Sequence, residues 1–194
     1  MGQVTTRVEP RTDSDFATAA LRFARRAHLG QYRKQTGEQY VEHPIAVARL
    51  LVESGYDGAL IAAAYLHDTV EKTSIELEEI QARFGPDVGG LVGCLSEDPG
   101  VEGYAARKRA LREGVLRAGG NPVIVYAADR LANMRDWRKV PPEDRRAVGE
   151  WLGTTLEERL QLWTEDAEEL HDLDPDTPFL AEIEDELSAL RAEA

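Results

Sequence analysis

A single cysteine, Cys94, leaves the chain no partner for an internal disulfide and is too little for a thiolate metal site. It falls between Val92 and Leu95 on an apolar stretch and is expected in the core. No run approaches the roughly 18 uncharged apolar residues that a bilayer span requires. The opening MGQVTTRVEPRTDSD has no apolar stretch that could act as a secretion signal. A cytoplasmic protein without membrane contact is the expectation. Basic charge is also short: the net charge of -13 argues against nucleic acid or anionic membranes as partners, since both require a basic surface. Period-2 alternation is scarce, and no internal repeat or low-complexity tract is present, which excludes most sheet and solenoid architectures.

What remains is helical pattern. With 194 residues, 42% of them hydrophobic, the chain can bury one sizeable core, and an all-α single domain is predicted. Its expected organisation is a flexible N-terminus over 1–14, a core over 15–140, and C-terminal helices over 141–194 packing on the same domain. The first helix runs from about Asp15 to Leu29, and the polar segment 31–41 reads as a loop carrying Arg33 and Lys34. A second helix has Pro44 in its first turn, with His43 at its mouth. The third starts near Asp57 and is apolar on all sides from Ala59 to Leu66, so it should lie centrally and deliver His67 and Asp68 from the interior. Thr73 and Glu76 have capping-box spacing for a fourth helix that stops at Gly85 and Pro86; a fifth covers 86–95. The sixth spans about 102–118. A seventh, capped by Asn121, buries Val123 to Ala128 before reaching Asp129. Two more helices follow the Pro141–Pro142 break, with Leu156, Leu160 and Trp163 on one stripe and Leu180, Ile183, Leu187 and Leu190 on another. The acidic runs of the second half read as solvated faces. Local basic groups, Arg25, Arg26, Arg33 and Lys34, then Arg107, Lys108 and Arg109, suggest discrete phosphate contacts on an acidic protein.

The chemistry concentrates on His43, His67, Asp68 and Asp129. Imidazole nitrogen with carboxylate oxygen suits Mn, Fe, Zn or similar divalent ions. Asp68 and Asp129 each end a long apolar helical run, and a buried carboxylate is costly unless it meets a cation. One metal satisfies both. Either histidine alone would more often be structural; the joint pattern carries the reading. Glu71 and Lys72 lie three and four residues beyond Asp68, so a carboxylate and an ammonium flank the proposed ion. Glu71 could position or deprotonate water there, or form an exposed ion pair between helix turns. Asn133, four residues after Asp129, places an amide on the same face, or cross-links helices.

The ordered His43, His67–Asp68 and Asp129 resemble the signature of the HD-domain phosphohydrolases. More narrowly, AHLGQYRKQTGEQYVEHPIAVARLL, AAAYLHDTVEKTSIELEEIQARFGPDV, SEDP, YAARK and VYAADRLANMR are similar to the hydrolase domain of RelA/SpoT proteins and the small alarmone hydrolases, over about residues 16–138. The resemblance implies a helical fold and one manganese ion held by His43, His67, Asp68 and Asp129. It implies hydrolysis of (p)ppGpp-type nucleotides at the ribose 3′ position with release of pyrophosphate. By the same resemblance, Glu71 and its neighbour Lys72 occupy the positions that act on water. Arg33 and Lys34 lie near phosphates or base, and Asn133 helps hold the nucleotide. Arg107 and Lys108 fall in a further matching block, as phosphate contacts or as an ordinary basic turn. Two departures stand out: Lys72 replaces the usual Asp of a Glu-Asp pair, and Gln39 stands where proline is common. Lys72 reverses a charge beside the reacting group, so another nucleotide or phosphoester is an alternative substrate, and a catalytically weak alarmone-binding protein is a second alternative. No synthetase or regulatory region is recognisable beside the hydrolase-like part, which favours the small enzymes as the model. A nucleotide is the expected small-molecule partner; self-association is left open.

Overall fold

The computed structural model describes residues 13–193. The expected flexible segment 1–14 lies almost wholly outside them, and Asp13 and Ser14 already belong to the first helix, α1 (Asp13–Ala27). There follow α2 (Glu42–Glu53), α3 (Gly58–Leu66), a single turn α4 (Thr69–Lys72), α5 (Leu77–Leu95), α6 (Tyr104–Ala118) and α7 (Asn121–Arg138). A 3-10 turn (Pro142–Asp144) leads to α8 (Arg145–Trp151), α9 (Leu156–Leu173) and α10 (Leu180–Ala192). Extended pairing among the described residues is confined to one isolated antiparallel bridge, Tyr32 with Gln39, inside the predicted loop. The all-α expectation holds.

The all-round apolar sequence of α3 dictates its place. Leu60, Ile61, Ala62, Ala63, Ala64 and Leu66 are all buried, and α1, α2, α5 and α7 pack around them. Three successive alanines leave no bulk to hold these neighbours off. α7 is the second buried rod, touched by α2, α5, α6 and α10. Leu170, Ile183, Leu187 and Leu190 join the same continuous core as α3. Trp137 meets Trp163 of α9 edge to face, with ring centres 6.4 Å apart. Leu156 and Leu160 only flank the core, and Cys94 likewise packs against it from a half-buried position instead of lying inside it.

Several local expectations are corrected. Thr73 does not cap α5: its hydroxyl donates to the Thr69 carbonyl at 2.8 Å and accepts from the Ile75 N–H, while Glu76 takes the cap position without a side-chain bond. Asn121 is the first residue of α7; the cap position belongs to Gly120, which with Gly119 adopts the positive φ that lets the chain reverse tightly. α5 contains both expected pieces, joined by a kink at Gly85 (φ 85°) ahead of Pro86, whose ring cannot continue the hydrogen-bond ladder. After Pro142 there are three helices, not two; the short α8 has no apolar stripe long enough to announce it.

Candidate active site

The interruption between α3 and α4 is where the site forms. His67 and Asp68 keep right-handed helical angles, yet the chain is regular again only at Thr69. His67 Nδ1 donates to the Ala64 carbonyl at 2.8 Å, which fixes the ring and turns Nε2 inward. His43 enters from the first turn of α2, and Asp129 from the middle of α7. His43 Nε2 lies 2.8 Å from Asp129 Oδ1 and 3.8 Å from Asp68 Oδ2; His67 Nε2 lies 3.5 Å and 3.6 Å from the same two oxygens. One donor atom each from His43, His67 and Asp129 falls within 4.8 Å of the others, and His67 Nε2 is buried without a hydrogen-bond partner.

Electrostatics favour a cation here. Burial alone would lower the His67 pKa, but the Asp68 and Asp129 carboxylates raise it to about 9. Burial would raise both carboxyls; instead His67 and His43 hold Asp68 below its ordinary range, and Arg130 with His43 holds Asp129 far below it. His43 is lowered, by burial first and by Arg33 next. Two carboxylates kept ionised beside two imidazoles, each with a buried nitrogen that makes no hydrogen bond, fit a divalent ion of the Mn, Fe or Zn type.

A layer of supporting contacts surrounds these groups, of which the sequence announced only the Asn133 amide on the face of Asp129. Arg130 binds Asp129 Oδ2 at 2.7 Å, and Asn133 Nδ2 donates to Asp129 Oδ1 at 2.8 Å. Arg33, buried, donates to Asn133 Oδ1 at 3.1 Å and pairs with Asp136 at 2.7 Å. Asp136 also faces His43 Nδ1 at 3.7 Å. The Tyr40 hydroxyl donates to Asp68 Oδ2 at 2.8 Å, and the Tyr40 ring stacks on His28. Helical spacing from Asp129 could have flagged Asp136, seven residues on, but nothing local distinguishes it from other acids.

These groups open onto a cavity of 390 Å³. All eleven residues singled out from the sequence line it: His43, His67, Asp68 and Asp129, then Glu71, Lys72, Arg33, Lys34, Asn133, Arg107 and Lys108. Seven cationic side chains and four carboxylates share the wall, so an acidic protein presents a net basic cavity to an anionic ligand. Glu71 accepts the Glu97 N–H at 2.7 Å on one oxygen and the Lys72 ammonium at 2.9 Å on the other. Glu97 in turn holds Arg107 at 2.9 Å and Lys108 at 2.5 Å, both half-buried at the start of α6 and so not an ordinary exposed turn. The other basic residues do not join: Arg25 and Arg26 are exposed on α1, and Arg109 pairs with Glu165.

The HD domain family model matches residues 20–154, and the chain belongs to that family. Among individual proteins it is similar to the guanosine-3′,5′-bis(diphosphate) 3′-pyrophosphohydrolase MESH1 of Xenopus tropicalis, 37% identical over 138 residues that cover 68% of this chain and 75% of that one. A probable GTP pyrophosphokinase of Mycobacterium leprae is 39% identical over 137 residues, 69% of this chain. A solved structure described as a metazoan ortholog of SpoT that hydrolyses ppGpp superposes with a TM-score of 0.75 at 29% identity, covering 95% of this chain and all of that one. The chain spans only 17% of the Mycobacterium protein and 19% of a Synechocystis relative. The expected family and fold hold, and the expected enzyme class, a metal-dependent phosphohydrolase, agrees with the family match. Among the described residues no helix is long and apolar enough to cross a membrane.

Proposed function

We propose that the protein is a manganese-dependent 3′-pyrophosphohydrolase acting on ppGpp or a closely related alarmone. The observation that carries this reading is the joining of the His43, His67 and Asp129 donor set, with the Asp68 carboxylate beside both imidazoles, to a basic cavity of nucleotide size. MESH1 and the SpoT ortholog, both matched over most of their length, support it. In the overall reaction, a water oxygen bonds to the phosphorus attached to the ribose O3′. The P–O3′ bond breaks, O3′ gains a proton, and pyrophosphate leaves. A divalent ion at the four residues supplies Lewis acidity toward the phosphoryl oxygens. Glu71, held from two sides, keeps lone pairs free to take the proton of the attacking water. Lys72 pairs with Glu71 at 2.9 Å and presents a positive charge to the phosphates. Arg33, positioned by Asp136, and Asn133 orient the nucleotide, with Lys34, Arg107 and Lys108 as further cations on the wall.

The direct ion pair between Lys72 and Glu71 favours a second reading, hydrolysis of another nucleotide or phosphoester, because it occupies the place of a second carboxylate. We treat residues 15–140 and the C-terminal helices as one working unit in the cytoplasm. Self-association is not needed to complete the cavity, since all eleven residues come from one chain. The test is pyrophosphate release by the manganese-loaded protein from ppGpp, pppGpp and their adenine counterparts, with Asp129→Ala as control. Release that disappears in the control supports the alarmone reading. No release from folded, metal-loaded protein would reject it and leave other phosphoesters or a binding role.

A further inference from the structure

One half-buried cation on the cavity wall makes no ion pair with a carboxylate among the described residues. Arg159, the fourth residue of α9, lines the cavity beside Tyr104 and Leu152. Its guanidinium carbon lies 5.0 Å from the ring centre of Tyr104 and 4.9 Å from that of Trp137, and its Nε is buried without a hydrogen-bond partner. Most other cations here are matched: Arg33 by Asp136, Arg130 by Asp129, Lys72 by Glu71, and Arg107 and Lys108 by Glu97. Lys34 is exposed and sits over Trp151. The adjacent Glu158 is turned to the Thr154 hydroxyl at 2.6 Å. Among the described residues Arg159 makes no ion pair, and burial together with the nearby Arg33 and Arg130 disfavours its charge by more than Tyr104 and Glu158 support it. It also stands in the first turns of a helix, the end where the backbone dipole repels a cation. A guanidinium cannot escape by losing its proton. A partly desolvated arginine, braced by two aromatic rings and lacking a counter-ion, is therefore an anion site, and its remaining N–H groups suit phosphate.

We infer that Arg159 binds a phosphate group of the substrate other than the one attacked, so that the C-terminal helices select nucleotides phosphorylated at both ends of the ribose. The inference rests on the alarmone reading for the name of that second group, the 5′-phosphates; the anion site itself does not depend on it. Selection arises because the 3′ group must lie at His43, His67, Asp68 and Asp129, leaving the 5′ end to reach the unpaired cation.

The experiment compares wild type with Arg159→Met and Arg159→Lys on ppGpp and on guanosine 3′-diphosphate, which lacks 5′-phosphates. The KM for ppGpp should rise about 10- to 100-fold in Arg159→Met, the loss of one or two charge-assisted bonds, with kcat little changed. The lysine variant should recover part of it, and the 5′-hydroxyl substrate should be indifferent. An unmoved KM, or equal loss on both substrates, overturns the inference. Calorimetric binding of guanosine 5′-diphosphate to the manganese-loaded proteins gives a readout independent of turnover. Weaker binding in Arg159→Met supports the anion site even in a protein that does not hydrolyse ppGpp, where only the alarmone reading would fall. Equal binding overturns the site. Methionine keeps the apolar stem and removes an uncompensated charge, so the variant should melt no lower than wild type.

Discussion

Asp136 offers the sharpest test of how the site is held together. Its carboxylate is buried, accepts from Arg33 at 2.7 Å and from Lys139 at 3.0 Å, and faces His43 Nδ1 at 3.7 Å. Asp136→Asn preserves the shape and removes the charge. Arg33, itself only 6% exposed, then keeps its positive charge without a full partner. Breaking such a pair from one side costs about 3–5 kcal/mol when the other charge is stranded, and an amide oxygen that still accepts should bring the loss to the lower end. The same substitution withdraws the carboxylate facing a proposed metal ligand, which should weaken divalent-ion affinity by about 10- to 100-fold. Urea unfolding of the metal-free protein measures the first effect, and manganese titration by calorimetry the second. A double-mutant cycle with Arg33→Met separates them: removing both partners should restore much of the stability while leaving metal affinity low. If Asp136→Asn leaves both stability and affinity unchanged, the supporting role assigned to this carboxylate is wrong. A stability loss with unaltered metal affinity would confine Asp136 to anchoring Arg33.

Glu71→Gln should retain metal and fold while lowering kcat by about 10²- to 10⁴-fold, as expected of a lost general base; an unchanged kcat in steady-state assays would remove Glu71 from the mechanism. Burial lowers the His28 pKa below 6.5, so the unfolded chain takes up that proton first. Its contribution to stability is complete above pH 6.5 and is lost as the pH falls; His28→Phe, which keeps the stacking on Tyr40, should flatten that acid-side slope in urea unfolding, and an equal slope would show that His28 titrates freely. Leu131, fully buried on α7, should cost about 2–5 kcal/mol as Leu131→Ala in the same assay, and a smaller effect would mean that the core collapses around the missing atoms.

The parts of this protein that sequence reading recovered share a physical property: each is set by neighbours close in the chain. The eight apolar residues from Ala59 to Leu66 must be buried on every side, and that alone makes α3 central. His67, immediately after that run, inherits its depth, with Asp68 half-buried beside it, and Asp129 inherits the depth of Val123–Ala128 in the same way, which is why the candidate metal ligands stood out in the sequence. What escaped depends on pairing across the fold. Asp136 and Arg33 are 103 positions apart, and Arg130 differs from other arginines only because Asp129 and the ring of Tyr126 meet it. Arg159 is the extreme case. In sequence it is one basic residue in the acidic run LEERL, where a solvated helix face is the natural reading. Only the placement of α9 beside α6 carries its guanidinium to Tyr104 and into the cavity, so its lack of a partner becomes visible only once the helices have packed. Charge pattern along a chain predicts which residues can be solvated; an unanswered charge inside a cavity is a property of the assembled fold, and it is there that a ligand supplies the missing partner.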